Sequence, residues 1–452
     1  MKKVFLFLLI ITGFSSAFGQ TAETPSWAKE TKEQKEKRME WWTHDRFGMF
    51  IHWGLYALPA RHEWIRHNER ISDADYQKYF DNFNPDLYNP KEWAKKAKEA
   101  GMKYVVLTTK HHEGFCLWDS KYTDYKVTNT PYGKDLIKPF VDAFRAEGLR
   151  IGFYYSLIDW HHPHFTYDGI HPGRPSTPEE RAKANENRDM NIYRKYMKDQ
   201  LTELFTRYGR IDELFLDFSY PDEKGHKDWD SEGLIKLIRS LQPQIIIDDR
   251  ADLGNTEWGW DYVTPEQSMP REWPTANGKR VPWETCQTFS GSWGYYRDEH
   301  SWKSIHQLVT MLIETVSKGG NLLLNVGPTA RGTFDDRANN RLEGIAEWMK
   351  LHSRSIYGCT QAPDEYKVPD NCFLTYNPKT KRLYLHVLEW PFLSLYLPGY
   401  EGKIKYAQLL NDASEIRYRT QKHDDSTPGD VILSLPTARP NVEVPVIELV
   451  LE

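Results

Sequence analysis

Six short apolar runs in this chain end in ionisable or amide side chains, and amphipathic helical stretches separate most of them. The pattern is clearest at Tyr104-Val-Val-Leu-Thr-Thr-Lys-His-His-Glu-Gly-Phe-Cys-Leu-Trp118. Tyr104 to Leu107 reads as a strand buried on both faces, because apolar residues follow one another without alternation. A helix from Pro90 to Ala100, stopped by Gly101, leads into it. The strand then empties into Lys110, His111, His112 and Glu113. Parallel strands joined by helices and ending in such groups are the signature of an α/β barrel, which gathers its strand ends at one face. One histidine pair alone reads as a satisfied polar edge; the recurrence of the pattern weighs against that.

The first run, Phe47 to Ile51, ends at His52-Trp53-Gly54. Residues 55–89 form an excursion carrying Arg61-His62-Glu63-Trp64, too irregular for a core element. A helix from Leu136 to Glu147 precedes the strand Arg150 to Tyr155, which leads to Asp159-Trp160-His161-His162. Residues 163–185, rich in Pro, Gly and His, read as a long loop. A helix from Arg188 to Tyr208 precedes Leu214 to Phe218, and helix 231–241 precedes Ile245 to Arg250. Helix 302–317 leads to Leu322 to Gly327, and a helix from Arg341 to Leu351 closes this part. After Tyr357 the periodicity changes. Alternating segments such as Arg382 to Leu388 and Val446 to Leu451 predict a small antiparallel β domain.

The chain of 452 residues has a formal net charge of −5, which points away from nucleic acid and anionic membranes as partners. Aromatic residues make up 14%, a supply that suits sugar rings as well as a large core. Residues 1–19 read as a signal peptide: Lys2 and Lys3, an apolar run from Val4 to Ile11, then small residues with Ala17 and Gly19 at the cleavage positions. That run is too short to span a bilayer, no second one follows, and the absence of a cysteine after it argues against a lipid anchor. The expected address is periplasmic or secreted. Cys116, Cys286, Cys359 and Cys372 form no metal-ligand spacing. Cys116 and Cys286 read as buried thiols, while a Cys359–Cys372 bridge stays open.

Asp217 ends an apolar strand between Phe215 and Phe218, where an unpaired carboxylate is costly unless used or hydrogen-bonded. Glycoside hydrolysis needs two carboxyl groups about the scissile bond. Glu266, in Val-Thr-Pro-Glu-Gln, and Glu284, in Pro-Trp-Glu-Thr-Cys, are the candidates for the second. Both lie near tryptophans, and an apolar setting raises a carboxyl pKa as an acid catalyst requires. The competing reading pairs each with Arg271 or Arg297 in a loop.

Four segments resemble the α-L-fucosidases of glycoside hydrolase family 29. They are Phe47-Gly-Met-Phe-Ile-His-Trp-Gly54, Thr109-Lys-His-His-Glu-Gly-Phe-Cys-Leu-Trp118, Gly152-Phe-Tyr-Tyr-Ser156 and Ser317-Lys-Gly-Gly-Asn-Leu-Leu-Leu-Asn-Val-Gly-Pro328. They occur in the family's order between about Trp41 and Tyr357. The resemblance implies a (β/α)8-like catalytic barrel over 20–357 and a C-terminal β-sandwich over 358–452. It also implies exo-acting, retaining release of terminal α-L-fucose from oligosaccharides or glycoconjugates, with no cofactor. On the matching positions it makes Asp217 the nucleophile. His52, His111, His112, Glu63 and Trp64 become the fucose contacts, and Tyr154 and Arg250 the neighbours of the reacting carbon. The Thr-Pro-Glu position resembles the acid/base of the broad-specificity group, so Glu266 is preferred. Glu284, the alternative, resembles the placement in members acting on branched substrates. The chain departs from the family at Phe215, where a tryptophan is common. Two other classes compete: a metal-dependent hydrolase using His111, His112, His161, His162, Asp217 and Asp248, and a fucose-binding relative without catalysis.

Overall fold

Seven parallel strands lie side by side in the computed structural model, which describes residues 23–422 and 428–452. They are β1 (Phe47–Ile51), β2 (Tyr104–Lys110), β3 (Arg150–Ser156), β4 (Glu213–Asp217), β5 (Ile246–Ile247), β6 (Glu284–Thr288) and β7 (Asn321–Val326). Their order is β5-β4-β3-β2-β1-β7-β6. Every residue in them except Arg150 is buried, which is why most read as unbroken apolar runs. Between β5 and β6 the ring is closed by residues 261–266. Tyr262 bridges Asp248, Val263 bridges Trp283, and Glu266 bridges Cys286, all in parallel. With this eighth stave the architecture is the expected (β/α)8-like barrel. The signal-peptide reading of residues 1–19 falls outside the described residues.

Side chains of alternate strand positions part to two sides. Met49, Val105, Phe153, Leu216 and Leu324 point outward into the core shared with the helices, whereas Phe50, Val106, Tyr154, Phe215, Cys286 and Leu323 fill the barrel. The helices are α1 (Lys32–Asp45), α2 (Pro90–Glu99), α3 (Ile137–Ala146), α4 (Met190–Arg207), α5 (Ser231–Leu241), α6 (Ile305–Ser317) and α7 (Asp336–His352). Helix α1 closes the N-terminal end with Met39 and Trp42, which join the interior cluster. Its Arg38 and the Arg239 of α5 converge on Asp261, anchoring the eighth stave where it starts. Gly48 is required here: a Cβ would lie 2.3 Å from the Tyr104 ring that fills the floor beside it.

The structure corrects three sequence-based expectations and adds a strand. Residues 163–185 are not all loop, because Thr177 and Glu180 form a capping box that starts a helix at Pro178–Asn185. The excursion 55–89 does supply core: Leu55, Tyr56, Ile65 and Tyr76 are buried, and two short helices, Ile65–Asn68 and Asp73–Asp81, hold it. The fifth strand pairs only at Ile246–Ile247. Strand β6 was not legible at all, since Glu284-Thr-Cys-Gln-Thr is mostly polar yet wholly buried.

After the barrel the chain builds two antiparallel sheets. Strands β8 (Thr360–Gln361), β9 (Cys372–Asn377), β10 (Arg382–Val387), β11 (Ser394–Leu397), β12 (Ile404–Leu409), β13 (Tyr418–Gln421), β14 (Asp430–Ser434) and β15 (Val446–Leu451) supply them. One sheet runs β8-β9-β10-β15-β12, the other β11-β14-β13. Leu374, Leu385, Leu397, Leu433 and Leu449 form part of the core between them. All four cysteines are free and buried, so the Cys359–Cys372 bridge does not form. Among the described residues no helix is long and apolar enough to cross a membrane.

Candidate active site

The C-terminal strand ends bring the sequence-derived residues together. Asp217, the last residue of β4, is buried and doubly held. The Tyr154 hydroxyl of β3 donates to its Oδ2 at 2.6 Å, and Arg250 donates from Nη1 to its Oδ1 at 2.7 Å. Burial and the Asp217 charge push the Tyr154 phenol well above its ordinary pKa, so it stays a donor. The other fork of Arg250 donates to Glu266 Oε2 at 2.8 Å, so one guanidinium touches both carboxylates. Glu266 itself is exposed. The enclosing apolar setting expected for it is absent, and Arg250 is its neighbour instead.

His52, His111 and His112 pack as a cluster beside this pair. The rings of His111 and His112 are 4.0 Å apart, and His52 lies 5.6 Å from His111 and 5.5 Å from Tyr154. His112 Nε2 is 3.7 Å from Asp217 Oδ2. Each outer ring is fixed from behind: His52 Nδ1 meets Asn325 Oδ1 at 2.7 Å, and His112 Nδ1 meets Ser156 Oγ at 2.7 Å. His111 Nδ1 is buried without a partner, leaving a polar atom for a ligand to satisfy. Burial holds His52 down to about 3, helped by His112 and Arg250 and opposed by Asn325. Burial also holds His112 down to about 3, with Lys110 and Arg250 adding to it. His111 lies well below its usual value for the same first cause, its two histidine neighbours adding to it. Neutral imidazoles both donate and accept, as sugar hydroxyls require.

These depressed values carry a stability consequence. The unfolded chain takes up these protons as pH falls below about 6.5, while the folded site resists until about pH 3. The contribution is therefore complete above pH 6.5 and lost progressively below it. Thermal unfolding monitored from pH 7 to pH 4 should show Tm falling with acidity, and replacing His52 by Gln should flatten that slope.

Glu63 and Trp64 come from the excursion. Trp64 packs against His112 at 5.2 Å, Trp160 at 5.3 Å and Phe218 at 5.6 Å. Glu63 is buried, and its Oε2 accepts from Ser292 Oγ, Trp293 N–H and Gly294 N–H at 2.9–3.0 Å. It thereby clamps the loop after β6 and sets Trp293 against His52, at 5.0 Å. Glu113 is a second tie, accepting from Leu55 N–H at 2.8 Å and the Tyr76 hydroxyl at 2.5 Å. Gly54 must lack a side chain there, since a Cβ would lie 2.4 Å from Glu113 Oε1. Phe218, directly after Asp217, takes a φ of 84°, a strained conformation for a bulky residue, which turns its ring onto His112 at 5.1 Å.

Glu284 is not in this site. It opens β6 opposite Asn321, at the far end of the strands from Asp217, and is fully buried. Tyr104 donates to it, and its neighbour Glu213 accepts from Tyr262 at 2.6 Å. Burial, then the neighbouring carboxyl, raises Glu284 well above its usual range; burial raises Glu213 to about 7. The two carboxyls sit together in the floor of the barrel. Two of the histidines considered for a metal have other partners: His161 stacks on Tyr125 and His162 packs at a tilt on Tyr196, with Asp159 accepting both of their backbone N–H groups. Among the described residues no group of three His, Cys, Asp or Glu is arranged to hold an ion. Asn325, Ser156, Trp293 and Phe218 were missed by sequence reading. Only Asn325 carried a signal, as the amide that ends the apolar run of β7.

The profile of the alpha-L-fucosidase family matches residues 15–354. Plasma alpha-L-fucosidase of Homo sapiens is 30% identical over 405 residues, covering 83% of this chain and 80% of its own. The solved structure of alpha-L-fucosidase isoenzyme 1 from Paenibacillus thiaminolyticus superposes with a TM-score of 0.85 at 45% identity, covering 92% of this chain and 99% of that one. A trapped covalent intermediate of a family 29 alpha-L-fucosidase from Bacteroides thetaiotaomicron with 2-fluoro-fucosyl fluoride superposes at 0.81 and 28% identity, covering 95% and 100%. A family match over most of the chain, carried on this barrel with these strand ends, places the protein among the α-L-fucosidases of glycoside hydrolase family 29.

Proposed function

We propose that this α-L-fucosidase releases terminal fucose with retention, by double displacement through a fucosyl ester of Asp217. In the first step an Asp217 carboxylate oxygen bonds to the anomeric carbon while the bond to the glycosidic oxygen breaks. Glu266 gives that oxygen its proton. In the second, Glu266 takes a proton from water, whose oxygen attacks the same carbon and frees Asp217. Tyr154 and Arg250 hold the carboxylate in place and stabilise its charge before and after attack. His52, His111 and His112 bind the ring hydroxyls, Trp64 lines the ring, and Glu63 acts by placing the Trp293 loop. The covalent intermediate trapped in the Bacteroides thetaiotaomicron relative supports this reading. The observation that carries it is the single guanidinium spanning Asp217 and Glu266. It sets side by side the two carboxyl groups that glycoside hydrolysis needs. The division that accompanies it is a catalytic unit over 20–357 and a sandwich over 358–452.

Proton NMR of an aryl α-L-fucoside during turnover tests the mechanism. α-L-Fucose should form first and mutarotate later; β-L-fucose as the first product would exclude a double displacement. The pocket assignment has its own check. His52→Ala or His112→Ala should weaken fucose inhibition by about 1–3 kcal/mol through loss of a buried hydroxyl partner, and His300→Ala, on an exposed residue, by nothing measurable.

A further inference from the structure

Outside the fucose contacts, Asp217 opens onto a cleft of about 380 Å³. Phe218, Asp249, Asp252, Thr264 and Glu266 are among its walls, and among the described residues Arg250 is the only cationic one lining it. That cation is fully engaged. Its fork is divided between Asp217 and Glu266, and its Nε donates to Thr264 Oγ1 at 2.8 Å. The carboxylates are less covered. Asp252 meets the backbone N–H and ring of His226 through Oδ2 alone, at 2.8 and 3.0 Å. Asp249 accepts from the N–H and hydroxyl of Thr264 at 3.2 and 3.0 Å, burial raising its pKa and Arg250 opposing that. Glu266 leaves 43% of its side chain exposed. Lys224, the nearest lysine in sequence, is turned away and buried against Asp168 at 3.0 Å.

We propose that this cleft holds the leaving sugar and that Asp249 and Asp252 select a neutral one, rejecting leaving groups that carry a carboxylate or sulfate. The inference rests on the assignment of Asp217 and Glu266, because the leaving oxygen must lie between them and the aglycone therefore extends over Asp249 and Asp252. Like charges brought together in a partly enclosed cleft repel, and among the described residues no unpaired cation lines this one to compensate. Hydroxyl groups, in contrast, find carboxylate acceptors and the Thr264 hydroxyl.

The test uses three fucosyl disaccharides of one linkage, differing only at C6 of the leaving hexose: the alcohol, the carboxylate and the carboxamide. An aryl α-L-fucoside reports on the catalytic reading independently; if it is not turned over, the proposed mechanism fails, and the selectivity with it. With that turnover present, kcat/KM for the carboxylate should fall at least about tenfold below the alcohol, with the amide close to the alcohol. Asp252→Asn should narrow the carboxylate-to-alcohol ratio, each variant being compared with its own alcohol rate. Raising salt should narrow it too, since exposed charges are screened. Equal rates for alcohol and carboxylate would overturn the proposal. So would an amide as poor as the carboxylate, which would make the discrimination one of size.

Discussion

Asp217→Gly should lose turnover of aryl and natural fucosides alike, by about 10,000-fold or more, since neither leaving-group quality nor protonation substitutes for the missing ester. The fold should persist, because Asp217→Asn, which keeps the shape and the Tyr154 contact, should melt close to the parent while remaining equally inactive. Azide gives a sharper outcome. In Asp217→Gly the space vacated on that face lets azide attack the anomeric carbon directly, so an α-fucoside with a good leaving group should yield β-L-fucosyl azide. An α-configured azide, or a parent-like rate, would show that another group forms the ester.

Glu266→Ala should lose activity in proportion to leaving-group pKa. Natural glycosides should fall by about 100- to 10,000-fold, the range of general acid–base contributions, and activated aryl fucosides far less in their first step. The fucosyl ester should then accumulate because no base activates water. Azide should intercept it from the leaving-group side and give α-L-fucosyl azide, the opposite anomer to that from Asp217→Gly. Glu284→Gln is the contrasting variant. At the barrel floor the carboxyl serves as a neutral hydrogen-bonding group against Tyr104 and Glu213, and an amide fills the same role. Activity should therefore stay near the parent's on every substrate without azide rescue. Leaving-group-dependent loss and rescue in Glu284→Gln, with neither in Glu266→Ala, would reverse the assignment.

What the sequence made legible was set by burial of whole strands. Runs such as Tyr104–Leu107 and Leu214–Phe218 announce themselves because both faces are apolar, and their polar ends then mark the site. Strand β6 hides because its inward positions meet a polar floor: Glu284 needs Glu213 and Tyr104 opposite it, and neither is visible from the local pattern. The eighth stave hides for a different reason. It joins its neighbours by single bridges at Tyr262, Val263 and Glu266, too few to impose a strand-like composition. Glu63 was found as a residue but not as a clamp, since its partners at 292–294 are about 230 positions away in the chain. Glu266 shares Arg250 with Asp217, and this exposed, arginine-paired setting is a tertiary fact that the neighbouring tryptophans obscured.

The backbone at Phe218 sets a limit on how this enzyme can be made more robust. Its left-handed φ costs on the order of 1 kcal/mol or more, and glycine would remove that cost at once. A campaign for heat tolerance that ranks substitutions by folding free energy would choose glycine there. The gain would come at the expense of the ring that stands between His112 and Trp64 on one side and the open cleft on the other. Durability and the packing of the pocket thus compete for a single position, and improving both requires stabilising the chain elsewhere.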